Sequence, residues 1–270
     1  MTISGDLGLH FGTISVTYYG LCIVLGLAAS GTIALCQIRR HRLNGDLAMG
    51  AVAICGIGAI VGSKTLYLAI TIPRINPAFL TDASTWASLF QGGFVFYGGL
   101  LGALAVAPLA KKVLNIDISH YLAILSPCIP LGHAFGRLGC LLVGCCYGAP
   151  SAGLLHVTYL HSMIAPNHIR LFPIQLVEAA CCLAISLILL IHVNRLHGTH
   201  GLELYCLLYA LCRFCLEYWR YDILERGSCG LFSTSQWVSV AIIFITACRW
   251  AMRSKRLQQF THRSIQLFRP

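Results

Sequence analysis

The sequence predicts an all-α, polytopic membrane protein, and three observations carry that prediction. Of its residues 57% are hydrophobic and only 10% charged, against about 25% charged in a soluble domain. The apolar residues fall into runs of about 20, the length a helix needs to cross some 30 Å of hydrocarbon. The basic residues collect at the ends of those runs, where topology is set. With a mean hydropathy of +0.75, the 270 residues suit about seven spans joined by short loops. A single integral membrane domain over residues 1–270 is the expected organisation.

The chain begins with 15 residues that lack a basic segment and a clear small-residue cleavage site, so the first apolar run is expected to stay as a span. That span covers about Val16 to Ile38 and ends at Arg39, Arg40 and Arg42. A second, about Leu47 to Ile72, holds Gly56, Gly58, Gly62 and Ser63, small residues that let helices approach closely, and Lys64. Residues 73–92 form a polar loop, and a third span runs from about Gly93 to Ala110, closed by Lys111 and Lys112. A fourth, from Ile118 through Gly148, is bent at Pro127 and Pro130, which free backbone carbonyls. Residues 149–172 form a second polar loop. Pro173 suits the first turn of a fifth span ending at Asn194-Arg195. A sixth covers about Leu202 to Trp219, a seventh about Gln236 to Met252, and a basic tail occupies 253–270.

The formal net charge is +10. Loops after spans one, three and five, with the tail, hold most of the cations. The opposite side has only Arg74, Arg170, Arg226 and Arg220. The charge is therefore topological, not a nucleic-acid site. It places the N-terminus and the 73–92 and 149–172 loops outside and the tail in the cytoplasm. Of 14 cysteines, Cys22, Cys36, Cys55, Cys181, Cys182, Cys206, Cys212 and Cys248 sit in apolar runs, where cysteine acts as a small hydrophobe.

An arginine at membrane depth costs at least about 2.5–3.5 kcal/mol and normally faces a polar interior with a task there. In the run from His133 to Gly148, the residues His133, Arg137, Cys140 and Gly144 share one helical face. Arg213, Glu217 and Arg220 share another. Gln175 and Glu178 lie together at the outer start of span five. Pairing Lys64, Arg137, Arg213 and Arg220 with Glu178 and Glu217 leaves positive charge in the bundle, which suits an anionic ligand such as a lipid phosphate. Tyr18-Tyr19-Gly20 offers hydroxyls to that site or belongs to an interfacial aromatic belt. Gly98, Gly99 and Gly102 bring backbone close to a ligand or to another helix. His156, His161 and His168 read as solvated loop residues or, less simply, zinc ligands. Cys140, Cys145 and Cys146 could form a thiol or metal cluster at the outer end of span four, although their spacing matches no common zinc pattern.

These pieces together resemble the prolipoprotein diacylglyceryl transferase family. Tyr19-Gly20 is similar to the family's Y-G, and Phe96-Tyr97-Gly98-Gly99-Leu100-Leu101-Gly102 to its F-H-G-G-L-x-G. Gly136 to Gly148 resembles its signature G-R-x-G-N-F-x-N-G-E-x-x-G. Pro173, Gln175, Leu176 and Glu178 match P-x-Q-L-x-E, and Arg213, Glu217 and Arg220 match R-x-x-x-E-x-x-R. The departures are Tyr97 for histidine, Cys140 and Val143 for the two asparagines, Cys145 for glutamate, and Lys64 where arginine is frequent.

The resemblance implies seven spans and transfer of a diacylglyceryl group from phosphatidylglycerol to the lipobox cysteine in a prolipoprotein signal peptide, with release of glycerol phosphate. It implies catalytic roles for Arg137, Arg213 and Tyr97. It implies substrate contacts for Tyr19, Lys64, Gly98, Gly99, Cys140, Gly144, Gly148, Gln175, Glu178, Glu217 and Arg220. It implies no metal or organic cofactor, membrane lipids and the prolipoprotein as partners, and a bacterial inner-membrane location. The residues themselves leave other readings open: a lipid or anion transporter, a transferase with another acceptor, or a membrane thiol protein. No internal repeat between the halves supports transport.

Overall fold

The computed structural model describes every residue except 4–7, 12–13, 77–78, 80, 92, 94, 197–199, 222–227, 230–231 and 268–270. Phe94, Arg226 and Arg269 therefore lie outside the described residues. In chain order, β1 (Thr2–Ile3), β2 (Gly8–Phe11) and β3 (Ile14–Thr17) precede α1 (Tyr18–Arg40), α2 (Gly45–Thr71), α3 (Ala83–Gln91) and α4 (Phe96–Leu114). Then come α5 (Ile118–Leu125), α6 (Cys128–Val143), β4 (Val157–Tyr159), β5 (Arg170–Leu171), α7 (Ile174–Arg195) and α8 (Gly201–Leu216). The last elements are β6 (Ser228–Cys229), β7 (Phe232–Ser233) and α9 (Thr234–Leu267). Among the described residues, four helices are long and apolar enough to cross a membrane: α1, α2, α7 and the Thr234–Met252 part of α9. They present large apolar side chains outward, among them Val24, Leu27, Ile57, Ile60, Leu187 and Phe244, as a lipid-facing surface requires. Two compact units emerge, residues 35–122 and residues 1–34 with 123–270.

In the 35–122 unit, Asn44 caps α2 by accepting hydrogen bonds from the Asp46 and Leu47 backbone amides at 3.0 and 3.1 Å. The apolar stripe of α2 then packs on α4 through two glycine pairs. A Cβ on Gly62 would run into the Gly98 carbonyl oxygen, one on Gly98 into that of Gly62, and one on Gly102 into that of Gly58. Small residues four apart on both helices thus let the backbones touch, the packing that replaces the hydrophobic effect inside lipid. Of the two roles open to Gly98, contact with a helix is the one seen here.

The other unit contains the bent segment. The helix breaks at Ser126-Pro127 into α5 and α6, because proline supplies no amide donor and crowds the preceding turn. The carbonyl that Pro127 frees, Ala123 O, accepts from Ser126 Oγ at 2.8 Å. The break is braced from both sides: Ser186 Oγ of α7 donates to Pro127 O at 2.8 Å, and Ser30 Oγ of α1 to Cys128 O at 3.0 Å. Gly144, at φ +81°, ends α6 with its amide on Cys140 O.

The structure corrects two expectations and adds a detail to a third. Residues 149–172 are not simply a solvated loop: β4 pairs in parallel with β1 and antiparallel with β5, burying Val157, Tyr159 and Leu171. The basic tail continues α9 as helix to Leu267. The sixth apolar helix stops at Leu216 and tightens into a 3₁₀ turn over Glu217–Trp219. Arg220 is therefore in extended backbone, paired with Gly148, and does not share a helical face with Arg213 and Glu217.

The glycine seam yields a graded prediction. Gly62→Val drives a methyl pair into the α4 backbone and should destabilise the protein by about 1–3 kcal/mol or more. Gly56→Ala meets nothing within 4 Å and should stay within about 0.5 kcal/mol. Unfolding of both variants in detergent, followed by circular dichroism, checks the difference.

Candidate active site

The described ionic centre is built around one carboxylate. Glu178, on the first turns of α7, is 1% exposed and meets three guanidinium groups. Arg137 Nη2 of α6 lies 3.1 Å from Oε1, while Arg220 Nη1 and Arg213 Nη1 lie 3.5 and 3.6 Å from Oε2. Tyr209 Oη of α8 donates to Oε1 at 2.9 Å and stands 3.4 Å from His133 Nε2. Arg213 also pairs with Glu217 at 3.0 Å, and Ser233 Oγ donates to that second carboxylate at 2.8 Å. Three guanidiniums against two carboxylates leave one positive charge.

That surplus has a direction. Arg137 Nε and Arg213 Nη1 are buried without a hydrogen-bond partner among the described residues. Arg213 Nη1 has Glu178 Oε2, itself without a hydrogen bond among the described residues, at 3.6 Å. Buried donors are nearly always satisfied, so Arg137 Nε beside a net positive charge is the donor left open to an anion. A phosphate fits the guanidinium fork in both charge and plane.

The loop after α6 is tied to this centre by short links. Gln175 Nε2 donates to Cys145 O at 2.9 Å. Gly148 bridges to Arg220, where a Cβ would strike Phe172 O. Gly144 occupies the left-handed cap, against Ser162. Gly144 and Gly148 thus shape the backbone around the arginines. Tyr159 Oη donates to Leu141 O at 2.8 Å, and burial pushes its phenol above the ordinary range, so it stays a donor. Tyr19 lies against Gly139, where a Cβ would come within 2.9 Å of its ring, and is within electrostatic reach of Arg137 and Cys140.

Of the residues singled out in the sequence, Arg137, Arg213, Arg220, Glu178 and Glu217 come together, with Gln175, Cys140, Gly144, Gly148 and Tyr19 around them. Lys64, Tyr97, Gly98 and Gly99 belong to the 35–122 unit. There Lys64 Nζ donates to Gly93 O at 3.3 Å and sits 5.0 Å from the centre of the Tyr67 ring. Gly99 faces Ala59 O and Ser63, and the Tyr97 side chain lies outside what the structure describes. Sequence reasoning missed Tyr209 and Ser233. Tyr209 was discoverable: Tyr205, Tyr209, Arg213 and Glu217 repeat every four residues and so share a face.

A family model described as prolipoprotein diacylglyceryl transferase matches residues 7–252. The chain belongs to the prolipoprotein diacylglyceryl transferase family. Phosphatidylglycerol–prolipoprotein diacylglyceryl transferase of Clostridium tetani is 31% identical over 230 residues, covering 84% of this chain and 89% of the relative. A second such transferase, from Clostridium perfringens, is 30% identical over 239 residues, with 88% and 90% covered. That of Methylococcus capsulatus is 27% identical over 224 residues, with 81% and 83% covered. The family resemblance drawn from these motifs is thus supported along nearly the whole chain.

Removing the central anion of this family member strands three cations. Glu178→Ala should cost about 3–5 kcal/mol of stability, the penalty for breaking a buried ion pair. Tyr209→Phe removes one hydrogen bond to a charged group and should cost about 1.5–3 kcal/mol. Denaturant unfolding of the detergent-solubilised variants measures both.

Proposed function

We propose that this protein transfers the diacylglyceryl group of phosphatidylglycerol to the lipobox cysteine of a prolipoprotein in the bacterial inner membrane. The observation that carries the reading is the arginine–glutamate centre with its open guanidinium donor. Arg137 and Arg213 take the lipid phosphate, and their charge stabilises the glycerol phosphate as it leaves, charge stabilisation of the kind that dominates many catalytic sites. Glu178 and Tyr209 hold Arg137, while Glu217 and Ser233 hold Arg213, so both cations are fixed before the lipid arrives. Arg220, Gln175 and Tyr19 line the same region and contribute to substrate contact together with Cys140, Gly144 and Gly148. By family likeness, Lys64, Gly98 and Gly99 contribute further substrate contacts and Tyr97 takes the place of the family's histidine.

The proposal includes the topology: one integral membrane domain of seven spans, the N-terminus and the 73–92 and 149–172 segments outside, and the 253–270 tail in the cytoplasm. The distribution of cations supports it. A reporter that is active only in the cytoplasm should function when fused after Pro270 and fail when inserted at Leu154. The reverse result would invert the orientation.

The decisive measurement uses membranes carrying the protein, labelled phosphatidylglycerol and a lipobox peptide. Label should appear on the peptide cysteine. Arg137→Ala and Arg213→Ala, checked for folding, should each lower transfer by about 10²–10³-fold. Lipid binding without any transfer would favour the lipid- or anion-binding reading instead, and transfer to a different thiol would redirect the acceptor.

A further inference from the structure

The three cysteines where this chain leaves the family signature also converge in space. Cys140 sits on the last turn of α6, and the chain then doubles back through Gly144 at φ +81° and Cys146 at φ +58°. Neighbouring side chains point apart along extended backbone. This reversal instead brings Cys145 and Cys146 into one cluster with Cys140, and the three Sγ atoms lie within 4.8 Å of one another. It is the one such His, Cys, Asp or Glu cluster found among the described residues.

The surroundings hold the cluster in place. Gln175 fixes the Cys145 carbonyl, and Gly148 is bridged to Arg220 two residues after Cys146. The Arg220 guanidinium lies within electrostatic reach of the Cys146 sulfur. The Gln175 amide keeps its Oε1 buried and without a hydrogen-bond partner among the described residues. Three sulfurs bound to one zinc-sized ion at about 2.3 Å stand roughly 4 Å apart, so small adjustments close the present arrangement onto an ion. Thiolates select soft and borderline metals over magnesium or calcium. Three protein ligands with the fourth position open is the pattern of a reactive metal site, not of a closed structural one.

We propose that Cys140, Cys145 and Cys146 form a three-thiolate site for a thiophilic divalent cation of the zinc class, whose open position takes the acceptor cysteine as its thiolate. The inference rests on the transferase reading and supplies what that reading lacks, a means of ionising the acceptor. On binding, the acceptor S–H gives its proton to solvent, as metal ligation of thiols requires. The sulfur pair then forms the new C–S bond to the diacylglyceryl carbon. The C–O bond to phosphate breaks, and its electrons leave with the glycerol phosphate. No electron is gained or lost by the metal. A divalent ion with four thiolates carries two negative charges, and Arg220, within electrostatic reach of Cys146, offsets part of them. After transfer the product is a thioether, a far weaker ligand, and departs.

The test uses the full chain, purified in detergent and reduced, with cobalt(II) as a spectroscopic zinc substitute. One cobalt per chain should bind with a thiolate-to-metal charge-transfer band. The band should be lost in Cys140→Ser and Cys146→Ser and retained in Cys181→Ser. A lipobox peptide should change the spectrum, and its serine counterpart should not. Absence of the band in unsubstituted protein whose three thiols titrate as free overturns the proposal, whatever the variants do. So does a Cys140 disulfide in the active protein, or undiminished label transfer after chelation leaves no bound metal. That last result would leave the transferase reading intact. Bound metal and a peptide-sensitive spectrum without any lipid transfer would instead overturn the transferase reading, and with it the activating role of the metal.

Discussion

The polar interior depends on one buried carboxylate. Three arginines cannot share a low-dielectric space unless an anion stands among them, and Glu178 is that anion. The arginines come from α6, from α8 and from the extended residue after its final turn, while Glu178 itself comes from α7. One residue thus fastens three parts of the chain. Because it neutralises only part of their charge, the same contact that stabilises the bundle leaves it attractive to a phosphate. Stability and binding here are two aspects of a single electrostatic balance.

Packing around that balance follows the economy of membranes. Where water is absent, helices gain little from burying leucine and are held instead by close backbone contact and hydroxyl bridges. Gly58, Gly62, Gly98 and Gly102 provide the first in one unit. Ser30 and Ser186 provide the second in the other, each donating to a carbonyl at the proline break. The arginine on α6 is therefore placed by hydroxyls acting on the far end of its own helix.

Much of this was legible in the sequence, for identifiable reasons. The apolar runs, the capping cations and the two prolines are local signals, so the helices and the bend at Pro127 were readable. The charged residues of the site were readable because an arginine in an apolar run needs an explanation. The roles of Gly144 and Gly148 were not, since a left-handed cap and a backbone bridge depend on which segment lies opposite. Arg220 was assigned to a helix it does not continue, because four-residue spacing does not reveal where a helix tightens and ends. Convergence of three cysteines likewise depends on a chain reversal at Cys146, a non-glycine residue with positive φ, and composition gives no sign of it.

The small sheet carries a topological consequence. β1, at the start of the chain, runs alongside β4, with Thr2 opposite Thr158 and Ile3 opposite Tyr159. Two strands cannot hydrogen-bond through a bilayer, so both must lie on the same side of it. The chain between Ile3 and Val157 must then traverse the hydrocarbon an even number of times. The seven-span proposal counts α1, α2, α4 and the broken α5–α6 pair as passages in this stretch, a number that meets this condition. A pair of two-residue strands thereby acts as a parity constraint on the threading of more than half the molecule, independent of any charge count.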